Sequence, residues 1–70
     1  MTKKINIDFE NNMFAYNLDV IKESPRYIWC ESPLYGDVYR LDKKSRMVMS
    51  KREKNQPYLK VSVAIRYSMM

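Results

Sequence analysis

The stretch Tyr58-Leu59-Lys60-Val61-Ser62-Val63-Ala64-Ile65-Arg66-Tyr67 alternates without interruption. Leu59, Val61, Val63, Ile65 and Tyr67 fall on one side, and Tyr58, Lys60, Ser62, Ala64 and Arg66 on the other. A period of two predicts a β-strand with its apolar face on a core and its polar face outward. Strands average about five or six residues. A run this long therefore reads as a central strand, or as one bending around a small barrel.

The same period recurs upstream. Ile5, Ile7 and Phe9 alternate with Asn6 and Asp8, and after Glu10-Asn11-Asn12-Met13 a second run begins with Phe14, Tyr16, Leu18 and Val20 on one side. Pairing Phe9 with Phe14, Ile7 with Tyr16 and Ile5 with Leu18 makes both apolar faces coincide across a loop at 10–13. Asn11 and Asn12 suit that loop, because asparagine tolerates the left-handed region. Phe14, Leu18 and Ile21 also fit a helical stripe, but mid-run Asn and Asp and the aromatics argue against a helix. Residues 4–20 are thus expected to form a hairpin.

Pro25 ends that unit by forcing Ser24 away from helical geometry. Arg26–Glu31 holds the β-prone run Tyr27-Ile28-Trp29-Cys30, and Ser32–Asp37 reads as a turn containing the only glycine, Gly36. Positive φ is most needed at such a place. Val38–Leu41 and Met47–Ser50 look like the arms of another hairpin. Setting Leu41 opposite Met47 leaves loop 42–46 and puts Tyr39, Leu41, Met47 and Met49 on one apolar face. A loop one residue shorter would bring Arg46 onto the face of Leu41. The expected architecture is mainly β: a single domain over 1–70 with an antiparallel sheet of about five strands, able to curl into a barrel-like core.

Composition narrows what such a domain can do. A core this small rarely supplies more than about 3–5 kcal/mol, so small domains usually carry a staple. One cysteine, Cys30, precludes an internal disulfide, and the absence of histidine removes the commonest structural metal ligand. Association with another copy or a target is the staple that remains. With 13% aromatic residues and one glycine the chain is not composed like a disordered one. The N-terminal residues lack the apolar run of a signal peptide, and no stretch approaches a membrane span of roughly 20 apolar residues. A cytoplasmic setting is the expectation.

Catalysis finds little support. Without histidine there is no Ser-His-Asp or Cys-His arrangement. The carboxylates are scattered singletons, and one glycine cannot build a phosphate-binding loop or a dinucleotide fingerprint. Cys30, beside Trp29 in an apolar run, reads as a buried and inert thiol. A non-enzymatic binding protein needing no cofactor or metal is the expectation.

The positive signal is charge. Residues 1–35 carry four cations against five carboxylates, a net −1, whereas residues 36–70 carry nine against three, a net +6. Arg40, Lys43, Lys44 and Arg46 crowd the second hairpin, Lys51, Arg52 and Lys54 follow it, and Lys60 and Arg66 share a strand face with Tyr58. Cations can neutralise phosphates, and tyrosines such as Tyr58 or Tyr35 can stack on unpaired bases. The leading expectation is a basic β module contacting nucleic acid, or a nucleic-acid-handling complex, without strong sequence specificity. A charge run is equally often a solvated face, and hairpin lysines also deter edge-to-edge aggregation. The rival is an accessory protein of the phage type that inhibits a host or defence enzyme by direct contact, adding a strand to its sheet or seating a basic face in an acidic cleft. An exposed Trp29 would favour that rival. A homodimer whose interface completes the core is compatible with both.

Overall fold

A computed structural model describes residues 3–53 and 55–69. The alternating runs become six strands among these residues: β1 (Lys4–Phe9), β2 (Phe14–Glu23), β3 (Tyr27–Glu31), β4 (Val38–Asp42), β5 (Met47–Lys51) and β6 (Leu59–Met69). Each strand pairs antiparallel with the next, and β6 returns to pair with β1, so the sheet closes into a barrel. The mainly β, barrel-like, single-sheet architecture is as expected, with six strands rather than about five. Every strand has a neighbour on both sides, so no edge is open to strand addition. No helix among the described residues is long and apolar enough to cross a membrane.

Ile5, Ile7 and Phe9 of β1 fill the interior with Leu18, Ile28, Cys30, Leu41, Val48 and Ala64. A barrel of six short strands encloses little volume, so large inward side chains must alternate with small ones. Cys30 and Ala64 are the small members. Cys30 is wholly buried, and burial pushes its thiol up to about 12.

The long strand departs from its apparent pattern. Ser62 (5% exposed) and Ala64 (2%) face the interior, while Leu59, Val61 and Ile65 are solvent-exposed. Two irregularities cause the inversion. Val48 pairs with Ser62 but Met49 with Lys60, leaving Val61 as an extra residue. Asp8 pairs with Arg66 but Phe9 with Ala64, leaving Ile65 as another. Each bulge reverses the side on which the following residues point and increases the local twist that closure needs. Beyond the second bulge Tyr67 and Met69 pack against the core again. Lys60 and Arg66 are exposed, as the alternation predicts.

Both hairpins also depart from the expected register, the first through a bulge and the second without one. Ile5 does face Leu18, but Ile7 faces Ala15 and Asp8 faces Phe14. Asn17, at φ 60°, makes the bulge, and its N–H donates to Asn6 Oδ1 at 2.8 Å. Leu18 is therefore buried and Val20 packs on the core, whereas Phe14 and Tyr16 are exposed rather than continuing that apolar face. Asn12, at φ 61°, takes the left-handed position in the first loop, as its residue type suggested. In the second hairpin Leu41 faces Val48, not Met47, and Arg40 faces Met49. Leu41 and Val48 are fully buried, while Met47 and Met49 flank an open cleft with Arg40 on the barrel's outside.

Asp42 explains that register. Its Oδ1 accepts from the N–H groups of Lys44 (2.9 Å) and Ser45 (3.2 Å), and its Oδ2 accepts from Arg26 Nε (3.2 Å). The chain then reverses through Arg46 at φ 66°, whose N–H donates to the Asp42 carbonyl. Arg46 lies in the turn and on neither face. The other turn uses Gly36 at φ 75°, where an added Cβ would meet nothing, so backbone conformation alone selects glycine.

Two outcomes follow. Ala64→Leu is expected to cost about 1–3 kcal/mol by overfilling the interior, while Ile65→Ala, at an exposed site, costs far less; urea titrations of both variants check the inverted phase. Burial alone would raise the Asp42 pKa, but the Lys44 and Ser45 N–H groups and Arg26 outweigh it and hold it at about 2, below the ordinary 3.8. A depressed carboxylate gives stability that is complete above pH 3.8 and lost as pH falls towards about 2. Asp42→Asn should remove that part of the acid dependence, measured as urea midpoints at pH 5, 3 and 2.

Candidate nucleic-acid interface

The outer faces of β3, β4 and β5 carry an interleaved set of rings and cations. Ile28 and Cys30 point inward, so the strand period turns Tyr27 and Trp29 outward. Antiparallel pairing sets Trp29 opposite Arg40, and Arg40 opposite Met49, which in turn faces Lys60. The Arg40 guanidinium lies 5.0 Å from the Tyr27 ring centre and 4.5 Å from that of Tyr58. Lys51 approaches the Tyr58 ring at 4.7 Å, and Arg26 approaches Tyr27 at 5.4 Å. Tyr27 and Trp29 lie 5.6 Å apart at 50°, and Lys22 sits 5.0 Å above the Trp29 ring. These distances fall within the roughly 6 Å reach of cation–π attraction, which is stronger where the cation is partly desolvated.

Beside this array lies a cleft of about 240 Å³ lined by Tyr27, Arg40, Asp42, Ser45, Met47 and Met49. Pockets for drug-sized ligands run from about 300 Å³ upward. The cleft therefore suits one flat ring rather than a whole cofactor. Its floor is held by Asp42, ionised through the turn hydrogen bonds described above. Met47 and Met49 supply soft walls that adapt to a ring face.

The structure divides the cations expected to act together. Arg40, Lys51, Lys60 and Tyr58 converge on this face. Lys44 stands exposed on the adjoining turn and makes no ion pair among the described residues. Lys43 is drawn off to Glu23 at 2.8 Å, a contact that lowers the Glu23 pKa through its hydrogen bond and charge. Arg52 Nε lies 3.4 Å from Asp37 Oδ1, near enough for an ion pair but not aligned for a hydrogen bond. Arg46 stacks on Tyr67 at 4.9 Å, and Arg66 Nε donates to Asp8 at 3.1 Å. Both of those lie towards the β6–β1 seam. Lys54 lies outside the described residues.

Tyr27, Trp29, Lys22 and Arg26 were missed by reading charge runs alone. The signal was present, because a buried Cys30 in a strand obliges Trp29 to face the other way. Trp29 is half-buried under Lys22 rather than freely exposed. Among the described residues no group of three His, Cys, Asp or Glu side chains is placed to hold a metal. No family model, no curated protein and no solved structure matches the chain.

Raising the Cys30 thiol from 9.0 to about 12 leaves roughly 1,000-fold less thiolate at neutral pH. A disulfide-exchange reagent at pH 8 should label the folded protein far more slowly than the urea-unfolded chain; equal rates would mean that the thiol is accessible.

Proposed function

We propose that this barrel binds single-stranded nucleic acid, without strong sequence preference, across the outer face of β3–β6. The observation that carries the reading is the Arg40 guanidinium held between the Tyr27 and Tyr58 rings at the lip of a ring-sized cleft. Arg40, Lys51, Lys60 and Lys44 neutralise phosphates, and one base enters between Tyr27 and the Met47–Met49 wall. Stacking and counterion release are both indifferent to base identity, which accounts for weak sequence preference. Duplex DNA fits less well, because its bases are already stacked on one another and cannot reach the cleft.

A protein target with an acidic cleft would use the same cations, and inhibition of a host or defence enzyme by such contact is the competing proposal. Strand addition is not its route, since the closed barrel has no free edge.

Fluorescence anisotropy of labelled single-stranded RNA, single-stranded DNA and duplex DNA at about 50 and 200 mM salt separates these readings. Four phosphate contacts on a single strand give a log–log slope of about −2.8, a roughly 50-fold loss across that interval. Arg40→Ala and Tyr58→Leu should each weaken binding at least about tenfold. Arg66→Ala, already engaged with Asp8, should change it little. Absence of binding at the lower salt, or equal loss in all three variants, overturns the proposal.

A further inference from the structure

On the side of the barrel around β1, the surface is of a different kind. Met13, Phe14, Tyr16, Leu34, Tyr35 and Ile65 are large apolar residues between 48% and 84% exposed. Two clefts make them contiguous. One, of about 310 Å³, is lined by Phe14, Tyr16, Leu34 and Tyr35, and the other, of about 230 Å³, by Met13, Phe14 and Ile65. Phe14 is common to both, and its ring packs on Tyr16 at 4.6 Å. At roughly 200 Å² for each large residue, the exposed surface of the six, backbone and tyrosine hydroxyls included, comes to roughly 800 Å². The largest patch on an ordinary monomer is about 300–600 Å². One partner's share of a standard stable interface is about 800 Å².

We propose that this face is a self-complementary interface at which a second copy of the chain docks about a twofold axis. The area is what each protomer of a stable dimer contributes. Charge supports the choice of partner. Five of the six residues come from the half of the chain carrying a net −1, and Ile65 from the other. The two charged side chains that line its clefts, Asp8 and Arg66, pair with each other at 3.1 Å, and Asp8 also accepts from the Tyr16 hydroxyl at 2.6 Å. Two copies therefore meet there with little repulsion. Leu34, the most exposed of the six, stands in the turn at 32–37 on the rim of the first cleft, and in the dimer it is the side chain offered to the Phe14–Ile65 cleft of the twin. A twofold axis makes that exchange reciprocal. Sheet extension between copies is closed off by the barrel, so the contact is made by side chains. None of the residues lining these two clefts lines the cleft beside Arg40, so the dimer contact and the Arg40 cleft are separate surfaces.

Sedimentation equilibrium of the full chain from about 1 to 200 µM tests this without reference to any ligand. The expected result is a mass rising to twice the chain's 8.5 kDa. Phe14→Glu should weaken self-association at least about 30-fold, with the far-UV circular dichroism of the barrel retained. Should that variant fail to fold, Leu34→Ser in the exposed turn should produce the same weakening. A wild-type protein that stays monomeric throughout overturns the proposal and leaves the face to a different protein. Dimers that persist in a folded Phe14→Glu or Leu34→Ser variant overturn it by placing the interface elsewhere. Nucleic-acid binding surviving in a monomeric variant would show that the two surfaces stand independently.

Discussion

Closure of the sheet by the β1–β6 ladder is the constraint on which the rest of the molecule depends. Six short strands wrapped into a barrel enclose too little space for every apolar residue of a chain that is 46% hydrophobic. Ile5, Ile7, Phe9, Leu18, Ile28, Leu41 and Val48 occupy nearly all of it, and the remaining inward positions take Cys30, Ser62 and Ala64. Bulges at Asn17, Ile21, Val61 and Ile65 give the sheet the curvature that closure needs. Each adds a residue on one strand, sharpens the turn of the sheet, and turns out side chains that the interior has no room for.

What closure expels becomes surface chemistry of two kinds. On β3, β4 and β5 the outward rings and methionines are met by cations, so Tyr27, Trp29 and Tyr58 are covered by Arg40, Lys22, Lys51 and Arg26. Around β1 the expelled residues meet only one another, and Asp8 and Arg66 cancel at their margin. A single packing limit thus produces both a face of rings covered by cations and an apolar one, on a domain only about 25–29 Å across. The missing staple of so small a core is consistent with the apolar face, since burying it would enlarge the hydrophobic contribution without any disulfide.

Much of this was legible in order of residues. The alternating runs, the punctuation at Pro25 and Gly36, the left-handed Asn12 and the inert Cys30 all express local rules acting on neighbours in the chain. The positive half of the molecule was equally visible. Less legible was which cations cooperate. Lys43 and Arg46 belong to the same charge run as Arg40 and Lys51, and Arg66 to the strand after it, yet Glu23, Tyr67 and Asp8 draw them to other parts of the barrel.

The sequence by itself determined the element type, the approximate strand limits, the absence of histidine- or disulfide-based chemistry and the sign of the charge asymmetry, because each depends on composition or on a period spanning a few residues. Tertiary structure alone decided which face of each strand is inside. In β6 the polar-looking Ser62 and Ala64 lie within, and Val61 and Ile65 lie without. Alternation reports only that two faces differ. Which of them a closed barrel can accommodate depends on volume already filled by other strands, and one extra residue at a bulge is enough to exchange them.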